Sequence, residues 1–157
     1  MKIIFLTLIL SMIGSKDDWQ CVCSIDRQEE RPFLENSEYA DIVGNFKILS
    51  VSRDSNTMTI MPIRIFKGEP TTTNLIINGD SFKNPCNHSI RGFMPDQLWI
   101  LGINEPSNSQ IHNYIDVCAD LWLKVEAGVI AGNITQMHFG DQKEYMTLDQ
   151  FGKLFEE

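Results

Sequence analysis

Residues 39–67 read YADIVGNFKILSVSRDSNTMTIMPIRIFK, and this stretch decides the fold class. Tyr39 to Ser52 carries apolar points at Ile42, Phe46, Ile48 and Val51, which predicts a strand. Arg53 to Thr57 is a polar turn. Met58 to Phe66 is rich in Ile and Thr and alternates, the pattern of a second, half-buried strand. Pro62 lies inside it, and a proline has no N–H to give a ladder, so an edge or a bulge is expected there. Lys67-Gly68-Glu69-Pro70 ends the segment.

The flanking sequence continues the same theme. Asn74 to Ile77 is a short strand closed by the turn signal Asn78-Gly79-Asp80. Phe82 to Asp96 reads mostly as loop, Gln97 to Ile103 as a strongly apolar strand, and Asn104 to Gln110 as a turn cluster. Ile111 to Val117 is a further strand leading into Cys118. Leu121 to Val125 and Val129 to Thr135 form a hairpin (121–135) around Ala127-Gly128. In the tail, Leu148, Phe151, Leu154 and Phe155 stand at helical spacing, giving a terminal helix over 147–155. Thr147 with Gln150 three residues on is a capping box for it. Ahead of the first strand, Pro32 to Glu38 can hold a short helix. There are no internal repeats. Five or more short strands with small helices predict an all-β barrel or sandwich.

A length of 157 residues suits one domain, and 43% apolar with 22% charged residues is ordinary for a globular chain. The net charge of −8 is a poor electrostatic footprint for nucleic acid or anionic lipid. Lys2 followed by the apolar run Ile3 to Ile13 is too short to span a bilayer and fits a secretory signal peptide over 1–15. Cleavage after Gly14 or Ser15 puts a small residue at −1 and leaves a short polar extension, 16–20, before a single domain over 21–157. No later stretch is long and apolar enough to cross a membrane, so the expected location is secreted, periplasmic or at the cell envelope.

Export changes the meaning of the cysteines. Cys21, Cys23, Cys86 and Cys118 then read as two disulfides. A bridge between Cys21 and Cys23 would close a strained small ring, which leaves two pairings. Both tie the N-terminal segment to two distant parts of the chain. Each loop spans roughly 60–100 residues, for which chain entropy gives about 4–5 kcal/mol taken alone. Cys-x-Cys with two lone cysteines and no nearby histidine pair is weak for zinc, so no metal is expected to be bound by the chain itself.

Catalytic motifs are missing from the sequence. It has no Gly-x-Ser-x-Gly, no His-Glu-x-x-His and no phosphate-binding glycine loop, so no enzyme activity and no cofactor are expected. His88, His112 and His138 are scattered, and each reads as a surface or strand residue. Trp99 and Trp122 could stack on bases, but in so acidic a chain they read as core. Asn87-His88-Ser89 and Asn133-Ile134-Thr135 match the glycosylation acceptor pattern.

Taken in order, several of these motifs resemble one family. Cys21-Val22-Cys23-Ser24 resembles the mature N-terminus of the tissue inhibitors of metalloproteinases, and Tyr39-Ala40-Asp41-Ile42-Val43 the start of that family's first strand. Ile65-Phe66-Lys67-Gly68 resembles the end of its next strand, and Leu98-Trp99-Ile100-Leu101 the apolar strand before its last cysteine. Cys86 and Cys118 fall where partners of the first two cysteines are expected. The resemblance runs from about Cys21 to Trp122. It implies a netrin-like OB fold, a five-stranded Greek-key barrel with an added hairpin and flanking short helices, and the pairings Cys21 with Cys86 and Cys23 with Cys118. It also implies an inhibitory ridge, Cys21 to Ser24, in which the Cys21 amine and carbonyl meet the zinc of a target protease. Val22 would enter that protease's specificity pocket, with Ser24 and the loops near Arg53 and Cys86 as rim. The partner implied is a secreted metalloproteinase or another extracellular protein.

The chain also departs from the family. A third disulfide is missing, Glu38 standing near its first position, and so is the separate cysteine-rich C-terminal domain. Such a chain is more similar to short exported relatives of bacterial type. Cleavage directly before Cys21 would place Asp18 at −3 and Gln20 at −1, against the small-residue rule. With Lys16 to Gln20 attached, the Cys21 nitrogen is a peptide amide, and the expectation becomes a non-inhibitory binding or structural module.

Overall fold

In a computed structural model, residues 31–81, 86–106, 112–138 and 142–156 are described. The expected signal segment and the ridge Cys21 to Ser24 lie outside them. The fold is mostly β, a single eight-stranded sheet. In chain order the elements are α1 (Phe33–Asn36), β1 (Ile42–Ser52), β2 (Thr57–Lys67), β3 (Leu75–Asn78), β4 (Leu98–Ile103), β5 (Asn113–Tyr114), β6 (Trp122–Glu126), β7 (Val129–Gly132), β8 (Glu144–Thr147) and α2 (Leu148–Lys153). The strands lie in the order β5-β3-β2-β1-β4-β6-β7-β8. All pair antiparallel except β3 with β5, which run parallel.

The quoted stretch is the spine. β1 lies between β2 and β4, and its first five residues, Ile42 to Phe46, are all buried. The alternation expected of a half-covered strand is lost there because both faces are covered. Beyond Lys47, the last residue paired with β4, the hairpin projects and Leu49 and Ser50 are exposed. The β1–β2 register slips at three places, one of them between Asn45 and Phe46, beside the Phe46–Pro62 pair. Such slips coil a hairpin. β3 pairs only with Thr57 to Ile60, so the far side of Pro62 faces no strand among the described residues and its missing N–H costs no ladder bond.

Strand boundaries shift where the backbone finds other partners. Tyr39 does not begin β1. Ser37–Tyr39 is a 3₁₀ turn, and Ala40 N–H donates to the Ser37 carbonyl. The expected strand from Ile111 to Val117 contracts to Asn113–Tyr114, because its backbone is shared out. Asn113 and Tyr114 pair with β3. Tyr114 also exchanges two hydrogen bonds with Asn104, at 2.8 and 3.1 Å. Ile115 to Val117 turn instead to the segment 86–88. The β6–β7 hairpin turns on Ala127 and Gly128, both at positive φ, as expected, but β7 ends at Gly132. β8 (Glu144–Thr147) falls where the sequence predicts no strand. It is a short sheet-edge strand with one half-buried apolar residue, Met146.

The same core extends to the two helices. α2 has both halves of its capping box: Thr147 Oγ1 accepts from Gln150 N–H, and the Gln150 side chain accepts from Thr147 N–H at 2.8 Å. Phe151 meets Phe33, Phe66 and Phe155 with ring centroids 5.1 to 5.7 Å apart. Arg64 reaches Asp149 at 2.7 Å. α1 starts at Pro32 with no side-chain cap. Its Phe33 and Leu34 N–H groups instead donate to the Asn133 and Ile134 carbonyls, at 2.8 and 2.9 Å. Glu144 then fixes that strand end. Its carboxylate accepts from the N–H groups of Ile134, Thr135 and Gln136 and from the Thr135 hydroxyl.

Candidate functional site

One end of the β1–β2 hairpin, the end of β3 and the segments 86–93 and 115–118 come together. The turn 53–56 closes on Asn56, which sits at φ 51°. Its Nδ2 donates to the Asp80 carbonyl, and its carbonyl accepts from Gly79 N–H at 2.9 Å. Asn87 is 1% exposed, and its Nδ2 donates to the Asn78 and Gly79 carbonyls, both at 3.3 Å. The Asn87-His88-Ser89 pattern is therefore not an open glycosylation site, because its amide is turned inward. Asn133 is half-buried, and its Oδ1 accepts from His138 N–H at 3.2 Å.

The half-cystines meet in the same region. Cys86 and Cys118 are both disulfide-bonded, and no described cysteine is free. Val117 N–H donates to the Cys86 carbonyl at 2.9 Å, and His88 N–H to the Ile115 carbonyl at 2.7 Å. An antiparallel bridge joins Asn87 and Asp116, whose Oδ1 accepts from Cys118 N–H at 2.9 Å. The two cysteines that lie far apart in sequence thus stand on adjacent, hydrogen-bonded segments. Cys21, Val22, Cys23 and Ser24 fall outside the described residues.

Beside these segments lies a cavity of about 620 Å³ lined by Val51, Arg53, Asn56, Ile90 and Arg91. The loops near Arg53 and Cys86 are the expected rim, and Asn56 belongs to the polar turn 53–57, whereas Ile90 and Arg91 carry no sequence signal beyond the loop Phe82 to Asp96. Neither arginine has an ion-pair partner among the described residues. Phe93 N–H donates to the Ile90 carbonyl, which turns the chain and carries Arg91 outward.

Next to the half-cystines, His88 stacks on Trp122 with ring centroids 3.7 Å apart and planes at 20°. Phe93 meets the edges of both His88 and Trp99. Burial holds the His88 pKa below its ordinary value, against an opposing pull from Asp80. A neutral imidazole stacked on indole behaves as packing; His88 is half-buried and outside the strands, so it is neither the open surface residue nor the strand residue expected. Trp99 and Trp122 are half-buried and packed against the core, and Trp99 Nε1 donates to Gln97 at 3.0 Å. Among the described residues no three metal-ligating side chains gather, and no helix is long and apolar enough to cross a membrane.

No protein-family model matches this sequence, and no curated protein is found to be similar to it.

Proposed function

We propose that the chain is an exported, disulfide-tied module of the metalloproteinase-inhibitor type, acting through Cys21 to Ser24. The observation that carries the reading is the placement of Cys86 and Cys118 on adjacent hydrogen-bonded segments, both as half-cystines. A Cys-x-Cys segment puts two side chains on one face of an extended strand, about 7 Å apart. It could therefore bond to both at once, and Cys21 with Cys86 and Cys23 with Cys118 is the pairing that the resemblance implies. The strand order is a second support. β1, β2, β3 and β5 are successive neighbours, β3 and β5 are parallel, and Tyr114 of β5 bonds back to Asn104 at the end of β4. That connectivity suits a five-stranded Greek-key barrel with β6 to β8 and α2 as additions.

In this reading the Cys21 amine is the reactive group. An α-amino pKa near 7.7–8.0 makes its lone pair accessible at neutral pH. Its nitrogen and carbonyl oxygen would displace the water on the protease's zinc while Val22 fills the adjoining pocket. Two bridges hold the ridge rigid, so little ordering entropy is lost on binding. Asp18 and Gln20 ahead of Cys21 favour a second reading, a binding module with a blocked amine.

The test is the N-terminal sequence and intact mass of the exported protein, followed by titration against a secreted zinc endopeptidase. A chain starting at Cys21 that inhibits one-to-one, and loses inhibition when one alanine precedes Cys21, supports the inhibitor. A chain retaining Lys16 to Gln20, or one free at Cys21 that inhibits no such protease, leaves the binding module.

A further inference from the structure

We propose that the cavity between the β1–β2 turn and the Ile90–Arg91 loop binds a small amphipathic anion, an acidic head on an apolar chain. Arg53 and Arg91 supply the charge. In a chain of net charge −8, four other cationic side chains are already engaged. Lys47, Arg64 and Lys124 pair with carboxylates, and Lys67 donates to the Ser37 and Glu38 carbonyls. Arg53 and Arg91 instead open onto one cavity, and among its described lining residues there is no carboxylate; neither Asp54 nor Asp80 is one of them. Guanidinium forks match the paired oxygens of carboxylates and phosphates.

The other walls specify the rest of the ligand. Val51 is half-buried and Ile90 closes the floor at 2% exposure, so a small apolar patch, extended by the arginine methylene stems, lies beside the two charges. A volume of about 620 Å³ lies in the range of small-molecule sites and far exceeds an inorganic ion. The frame is set before any ligand arrives. Asn56 is tied to Gly79 and Asp80, Ser55 N–H donates to Ser52 Oγ, and the Ser55 and Thr57 hydroxyls share a hydrogen bond of 2.7 Å. A preformed cleft binds with less ordering cost. This site needs neither a free Cys21 nor a protease.

The experiment is a ¹⁵N NMR titration of the full exported chain, including the arginine Nε–H signals. The probes are hexanoate, hexyl phosphate, hexanol and inorganic phosphate. Saturable shifts at Arg53, Arg91 and Ile90 are expected with hexanoate or hexyl phosphate. The stronger of the two identifies a carboxylate or a phosphate head. Arg53→Gln and Arg91→Gln should each weaken binding about tenfold, and Arg64→Gln should leave it unchanged. Amide dispersion shows whether each variant is folded. The proposal is overturned if neither acid gives saturable shifts, if hexanol binds as well, if inorganic phosphate binds as tightly as the hexyl acids, or if folded R53Q and R91Q bind like the parent.

Discussion

Gly68 shows how much one missing side chain can matter. It sits at φ 74°, and a Cβ there would press into the Asp41 carbonyl, which is backbone and cannot swing away. Gly128 has a similar φ of 80° but open space around it, and Gly92 has open space and no φ constraint. The three positions separate two costs. Gly92→Ala should be neutral. Gly128→Ala should lose about 1 kcal/mol from the left-handed backbone alone. Gly68→Ala should lose more, about 2–3 kcal/mol, because the clash adds to the strain. Urea denaturation of the three variants checks the order, and equal losses at 68 and 128 would remove the role of Asp41. The sequence marks Gly68 only as the end of a strand; the reason for glycine lies in the close approach of the Asp41 backbone just before β1.

Glu144 carries the residue-scale pH dependence. Burial by itself would raise its pKa, but the hydrogen bonds from the Thr135 hydroxyl and the N–H groups of Thr135, Gln136 and Ile134 outweigh it, so the carboxyl sits below its ordinary value. A carboxyl held low in the folded state binds protons less readily than in the unfolded one. Its stabilisation is therefore complete above the unfolded pKa, near 4.3, and is lost as pH falls through the lower folded value. Glu144→Gln should cost about 1–2 kcal/mol at pH 7. The gap from the parent should narrow in acid, as denaturation midpoints at pH 7 and pH 3 would reveal. An unchanged gap would assign the loss to packing instead.

At the scale of elements, the strongest local signals were the most readable. The capping box at Thr147 and Gln150 and the turn at Ala127-Gly128 are local chemistry, and both stand where the sequence places them. α2 is only six residues long, too short to be stable alone, so its start signal and its aromatic face must act together. Thr147→Ala should cost about 1 kcal/mol. Phe151→Ala, which empties the centre of the Phe33–Phe66–Phe155 cluster, should cost about 3–5 kcal/mol. Thermal unfolding checks the pair; a capping loss as large as the core loss would mean that α2 rests on its cap. β5 and β8 were harder to read for opposite reasons. The segment after Ile111 looks like one strand because it is apolar, yet its bonds are divided among β3, Asn104 and the 86–88 segment. β8 looks like loop because it sits at the sheet edge, half exposed, and needs little apolar content to pair with β7. The cavity was least legible. Arg53 and Arg91 are 38 positions apart in sequence, and only the β1–β2 turn and the loop before β4 make them neighbours of one space.

In the molecule as a whole, the two ends of one continuous sheet are held by different means. β1, β2 and β4 form a spine through which the long-range pairing passes, and α2 carries the C-terminal end back onto Arg64 and Phe66 of β2. That side is closed by apolar packing. On the other side, the segments 86–88 and 115–118 have few strand bonds, a buried asparagine and a stacked histidine, and both carry half-cystines. Weak secondary structure there makes the covalent ties count for more. Full reduction should therefore lower stability by about 2–5 kcal/mol. Hydrogen exchange should rise first at His88 and Val117, whose N–H groups bond across the two segments, while Phe46 and Ile100 on the spine stay protected. Exchange rising evenly over spine and segments would mean that the bridges restrain only the unfolded chain. Selective loss at 86–88 and 115–118 would mean that they hold the native end of the sheet together, the end beside which the arginine-lined cavity lies.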